Sequence, residues 1–124
     1  MVTEFSMSKH EEIPTVFTYE GKFPFDSGTQ LRENIESFLS KLALNLKKEG
    51  CKVIGHIKGL IETDESVSLF FDLTSFEQEP SVKGILPHNA VDCRIALNII
   101  VYGVSHDQVK RAVLESILGF MPAD

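Results

Sequence analysis

The sequence lacks the apolar segments that mark membrane insertion or secretion. No apolar run approaches the roughly 20 residues that span a bilayer, and residues 1–10 contain no apolar core of a signal peptide. The two cysteines, Cys51 and Cys93, do not suggest the disulfide framework of a small secreted domain. We therefore expect a cytoplasmic protein with no membrane partner, and we expect both thiols to be small buried groups.

Basic residues are also in short supply. The chain has 12 Lys and Arg against 18 Asp and Glu, which gives a net charge of −6. A charge of this sign repels a phosphate backbone at long range. The composition therefore predicts that the protein has no nucleic-acid partner.

The motifs of common catalytic and cofactor sites are missing. The four histidines, which show no metal-ligand spacing, are His10, His56, His88 and His106. The only closely spaced glycine pair in an apolar segment, Gly55 and Gly59, lies within a predicted strand, so it forms neither a dinucleotide fingerprint nor a P-loop. We expect no metal and no cofactor, and the sequence identifies no catalytic residue.

Two segments have the apolar period of an amphipathic helix. The first covers residues 31–46, follows a capping-box pattern at Ser27 and Gln30, and is expected to end at Gly50. The second has the same capping-box spacing at Ser105 and Gln108 and is expected to end at Gly119. Its buried stripe is expected to contain Val109, Ala112, Val113 and Ile117.

Four segments are predicted to be strands, with residues 51–62 as the centre of the domain. The others cover residues 13–20, 67–74 and 91–102. Alternation in the central strand predicts an apolar face made of Cys51, Val53, Gly55, Ile57, Gly59 and Ile61. The opposite, mixed face is predicted to contain Lys52, Ile54, His56, Lys58, Leu60 and Glu62.

The element order β-α-β-β-β-α predicts an α+β fold, in which an antiparallel sheet carries two helices packed on one face. We expect a single domain over residues 13–120, a flexible N-terminus over 1–12 and a tail over 121–124. The last three strands are predicted to form a meander, with Gly55 and Gly59 allowing the first helix to approach closely. The place of the first strand stays open. The connection over residues 75–90 is irregular, with an alternative short strand around 82–86.

From the first helix onward, this order resembles that of double-stranded-RNA-binding domains. Those domains have a basic cluster at the start of their last helix, where residues 105–111 here read Ser-His-Asp-Gln-Val-Lys-Arg. The chain is also acidic as a whole. The resemblance covers element order alone, and RNA binding is not expected.

The mixed face of the sheet is where function is predicted to lie. Its ligand-binding candidates are His56, Lys58, Asp72, Arg94 and Asn98, which together could hold an anionic small molecule. Its interface candidates, which are too apolar for a face that only meets water, are Ile54, Phe70, Ile100 and Tyr102.

Two functions follow from these candidates. The favoured one is a non-enzymatic domain that acts by assembly or binding as a homo-oligomer. A second copy, the segment 75–90 or both would cover the mixed face, and Asp72 would pair with Arg94. The alternative is a small enzyme or ligand sensor for an anionic metabolite that uses His56, Lys58, Asp72 and Arg94. A pocket with His56 at its base would favour the alternative.

Overall fold

The computed structural model describes residues 13–25, 31–63, 67–85 and 91–120. The elements are β1 (Thr15–Phe25), α1 (Leu31–Lys48), β2 (Val53–Thr63), β3 (Val67–Leu73), β4 (Ser81–Gly84), β5 (Val91–Tyr102) and α2 (His106–Phe120). The predicted α+β fold is confirmed, with one additional short strand, β4, in the segment expected to be irregular. Three predictions lie outside the described residues: the flexible N-terminus, the C-terminal tail and the Ser27–Gln30 capping box.

The five strands form one antiparallel sheet in the order β1-β5-β2-β3-β4. β4 pairs with the free side of β3, and β5 returns to pair with both β2 and β1. The predicted meander of the three long strands is therefore wrong, because β5 lies beside β2 and not beside β3. This arrangement makes β2 the central strand and β1 an edge strand.

The apolar core lies between the sheet and the two helices. Its α1 side contains Leu31, Ile35, Phe38, Leu39, Leu42 and Leu46, and its α2 side contains Val109, Ala112, Val113 and Ile117. Between the helices, the amide of Asn45 donates to the hydroxyl of Ser116 at 3.0 Å, and that hydroxyl donates to the carbonyl of Ala112 at 2.7 Å. The buried hydroxyl is thus satisfied, and both helices cover the same face of the sheet.

The helix ends follow from local sequence. The Ser105 hydroxyl accepts a hydrogen bond from the backbone amide of Gln108 at 3.2 Å, and the side-chain oxygen of Gln108 accepts one from the backbone amide of Ser105 at 2.8 Å. These two bonds confirm the second capping box. Gly50 adopts a φ of 104° just after α1, as a left-handed stop requires. The expected stop at Gly119 is wrong, since α2 continues to Phe120.

A bulge interrupts the alternation of β2 near its start. The register to β5 shifts between Ile54, opposite Val101, and His56, opposite Ile100, so Gly55 is an extra residue. As a result Ile54 is buried in the core at 3% exposure, whereas Val53 is 53% exposed. The predicted faces of Val53, Ile54 and Gly55 are therefore wrong, while those of the residues from His56 to Glu62 are confirmed.

The described part of the segment after β3 lies beside the core on the helix side and then joins the sheet edge. Phe76 packs against the core with the ammonium of Lys47 5.4 Å above its ring. The guanidinium of Arg32 donates to the carbonyls of Val82 and Gly84. These contacts anchor β4 to α1, on the side of the sheet opposite to the mixed face.

Candidate functional site

The open face of the sheet is the face that neither α1 nor α2 covers. It consists of rows of side chains that run across the strands. The first, which we call the Leu60 row, contains Glu20, Ala96, Leu60, Phe70 and Lys83. Next to it is the Lys58 row, which contains Thr18, Asn98, Lys58, Asp72 and Ser81. Each row crosses all five strands, because the paired residues of adjacent antiparallel strands point to the same face.

A groove of about 470 Å³ lies over these two rows. Its lining comes from four strands and comprises Thr18, Tyr19, Glu20, Lys58, Gly59, Leu60, Phe70, Phe71, Asp72, Ala96, Leu97 and Asn98. The volume falls within the range of roughly 300–1,000 Å³ that small-molecule sites occupy. The small side chain of Ala96 lies between Glu20 and Leu60 in this lining.

The groove has an apolar floor and a polar margin of mixed charge. Phe70 is 55% exposed, and Leu60 and Ala96 beside it are half-buried. Among the lining residues, the charged groups are the acids Glu20 and Asp72 and the single cation Lys58. This charge balance suits an apolar or amphipathic surface better than a strongly anionic molecule.

Three of the five predicted ligand-binding residues come together at the groove. Lys58 lies between Asn98 on β5 and Asp72 on β3, directly opposite each of them. His56 lies one row further along β2, opposite Ile100, and is absent from the groove lining. The register thus brings Lys58, Asp72 and Asn98 together at the groove and leaves His56 outside it.

Arg94 lies away from this cluster. Its guanidinium forms an ion pair with the carboxylate of Glu62 at 2.9 Å, directly across the β2–β5 register. Asp72 is opposite Lys58, which is four residues along β2 from Glu62, or roughly 14 Å at the rise of a strand. The predicted Asp72–Arg94 pair is wrong, because the register of β5 places Arg94 next to Glu62.

Three of the four interface candidates are on the open face. Phe70 lies at the groove, and Ile100 and Tyr102 are half-buried further along β5, with the exposed Val16 opposite Ile100. Ile54 is a core residue and cannot contribute, since the bulge at Gly55 turns it inward. The open face thus has apolar groups both in the groove and at its far end.

Sequence reasoning missed Thr18, Glu20, Leu60, Ala96 and Lys83 as members of the site. The two residues from β1 could not be placed, because the position of this strand was open. Lys83 belongs to β4, a strand that was predicted only as an alternative to an irregular connection. Leu60 and Ala96 were assigned to the mixed face, and only the register shows that they are neighbours in one row.

A second concavity of about 440 Å³ lies at the end of the open face where Arg94 pairs with Glu62. It also contacts Cys93, which is buried. Burial raises the pKa of the Cys93 thiol, and the nearby Asp92 charge raises it further. A protonated, buried thiol is a poor nucleophile, so Cys93 is not a candidate nucleophile for this concavity.

No protein family model, curated protein or solved structure matches the chain. Among the described residues, no group of three or more His, Cys, Asp or Glu side chains is placed to hold a metal ion. In the same residues, neither helix has the length and apolarity needed to cross a membrane.

Proposed function

We propose that this protein is a small non-enzymatic binding domain that self-associates through its open sheet face. The observation that carries the proposal is the exposure of Phe70, at 55%, next to the half-buried Leu60, which has the half-buried Ala96 on its other side. Apolar groups that are contiguous and exposed usually mark a contact surface. An aromatic side chain in this setting is a typical anchor of a protein interface.

The rest of the described chain leaves this face available. Both helices bury their apolar stripes on the other side of the sheet. The segment after β3, which is the cover predicted for this face besides a second copy, contributes none of the groove-lining residues through residue 85. A two-fold contact with a second copy is the commonest way for one patch to be buried.

The substitution Phe70→Glu tests the proposal. We expect it to convert a dimer into a monomer with no change in the circular dichroism spectrum, because the side chain is already exposed in the single chain. Leu44→Glu is a matched control, since Leu44 is 54% exposed but lies on α1. Sedimentation equilibrium over a wide concentration range measures both. A wild type that stays monomeric at the highest concentration would refute self-association.

A second candidate function is the binding of an anionic metabolite, as a sensor or a small enzyme. It is favoured by the groove volume and by Lys58, Asp72 and Asn98 at its margin. Lys58 would supply the positive charge, since Arg94 is engaged by Glu62 and His56 lies outside the groove. Thermal-shift measurements with inorganic phosphate, citrate and glutamate test this candidate. A stabilisation that Lys58→Met abolishes would support it, and no shift with any of the three would exclude these anions.

A further inference from the structure

The Leu60 row carries opposite charges at its two ends. Glu20 on the edge strand β1 is at one end, and Lys83 on the edge strand β4 is at the other. Leu60 lies in the middle on the central strand, between Ala96 on one side and Phe70 on the other. Both terminal side chains are exposed in the single chain. The two halves of the row therefore differ in charge and in side-chain size. On one side of Leu60 are the small Ala96 and the acid Glu20, and on the other side are the large Phe70 and the base Lys83.

We infer that the open face binds a second copy of this chain face to face, about a two-fold axis that runs parallel to β2 and passes through Leu60. This inference rests on the proposed self-association and specifies its geometry. Rotation about such an axis exchanges the two ends of the row. Glu20 of each copy then lies opposite Lys83 of the other, which gives two symmetric ion pairs at the margins of the interface.

The same rotation matches large side chains with small ones. Phe70 of each copy lies opposite Ala96 of the other, whose small side chain lines the groove. The two Leu60 side chains, one from each copy, meet on the axis. Aligned packing of two sheets with interdigitated side chains is the usual way in which two open faces form one core.

The charges at the two ends of the Leu60 row also argue against the other in-plane two-fold axis, which would run across the strands through Leu60. That axis would place each Glu20 against Glu20 and each Lys83 against Lys83, and like charges in apposition oppose binding. The two axes differ at Lys58 as well. The axis along β2 brings the two copies of Lys58 together, whereas the axis across the strands would place Lys58 opposite Glu62, two residues beyond Leu60.

Complementary charge reversals test the geometry. Glu20→Lys alone and Lys83→Glu alone should each weaken the dimer on the order of tenfold, since each turns two attractive pairs into repulsive ones. An equimolar mixture of the two variants should form a heterodimer with the affinity of the wild type, because both of its pairs are again attractive. Glu33→Lys and Lys41→Glu, at exposed positions on α1, are matched controls and should have no effect alone or mixed.

Lys58→Met separates the two axes. It should tighten the dimer under the axis along β2, because it removes two like charges that face each other, and it would weaken the dimer under the crossed axis. Sedimentation equilibrium gives the dissociation constants, and isotopically labelled protein in native mass spectrometry identifies the heterodimer. If Phe70→Glu breaks the dimer but the mixture is no tighter than either variant, this geometry is wrong while self-association stands. A monomeric wild type would refute both.

Discussion

The ring of Phe71 on β3 occupies the space that a side chain at Gly59 on β2 would need. The two residues are directly opposite in the antiparallel register. A Cβ atom built on Gly59 would lie 2.6 Å from Cε1 of Phe71 and 2.7 Å from the carbonyl oxygen of Ala96. Real Cβ atoms do not approach other atoms so closely. The expected role of Gly59, to let α1 approach the sheet, is therefore wrong: the glycine makes room for a ring from the neighbouring strand.

We predict that Gly59→Ala lowers the free energy of unfolding by about 1–3 kcal/mol, the usual cost of overpacking a core. Urea denaturation measures the change. Gly55→Ala is the control, since its Cβ would meet its nearest neighbours at 3.0 Å and the change should cost less. In the Phe71→Leu background the penalty at Gly59 should shrink, because the ring is gone. Equal penalties in both backgrounds would show that the ring is not the cause.

Leu42 on α1 and Leu97 on β5 lie on opposite sides of the core, and both are buried. We predict that Leu42→Ala and Leu97→Ala each cost roughly 2–5 kcal/mol of stability, through lost burial and the cavity that remains. Leu44→Ala, on the exposed side of α1, should change stability by no more than about 0.5 kcal/mol. A small loss at both buried sites would mean that the core is misassigned.

The elements with strong periodicity could be predicted from sequence. The alternation of apolar residues predicted β5 with the bounds that the structure shows, Val91–Tyr102. It also predicted the buried residues of this strand, including Cys93, Ile95 and Leu97. The apolar stripe of α1 and the second capping box were equally local signals. In each case the physical cause lies within a few neighbouring residues, so one segment of sequence contains all the information.

The features that sequence reasoning missed depend on contacts between distant segments. Arg94 could not be assigned to Glu62 rather than to Asp72, because that choice depends on the order and register of β5 and β2. The membership of Glu20 in the groove depends on β1 pairing with β5, some 75 residues later in the chain. The bulge at Gly55 was also not predicted, although a glycine within a strand is a recognised bulge signal.

The bulge leads to a prediction that reverses the simple alternation of β2. Ile54→Asp should unfold the protein or destabilise it severely, because it places an unpaired charge among buried residues. Val53→Asp should change the free energy of unfolding by about 0.5 kcal/mol or less, since Val53 is exposed. Thermal denaturation of the two variants decides the matter. A larger loss of stability in Val53→Asp than in Ile54→Asp would indicate that β2 has no bulge and that Ile54 faces outward.

Cys51 and Cys93 should be protected from alkylation in the native protein. Both are buried, and burial raises the pKa of each thiol above the ordinary cysteine range. The reactive thiolate is therefore scarce in the folded chain at pH 8. Mass spectrometry after a short exposure to iodoacetamide should show almost no modification of native protein and two modified cysteines in concentrated urea. Rapid labelling of either thiol without urea would contradict the buried placement.

The same shifts predict how stability depends on alkaline pH. Because the pKa of each thiol is higher in the folded than in the unfolded chain, the unfolded state loses its thiol protons first as the pH rises. The stabilising contribution is complete below the unfolded pKa and is lost progressively as the pH rises towards the folded one. The free energy of unfolding should therefore fall between neutral pH and pH 10.

A Cys51→Ala/Cys93→Ala variant should lose part of this dependence, while the remainder comes from other groups that titrate at high pH. If the variant and the wild type show the same slope in urea titrations at matched pH, the thiols do not contribute.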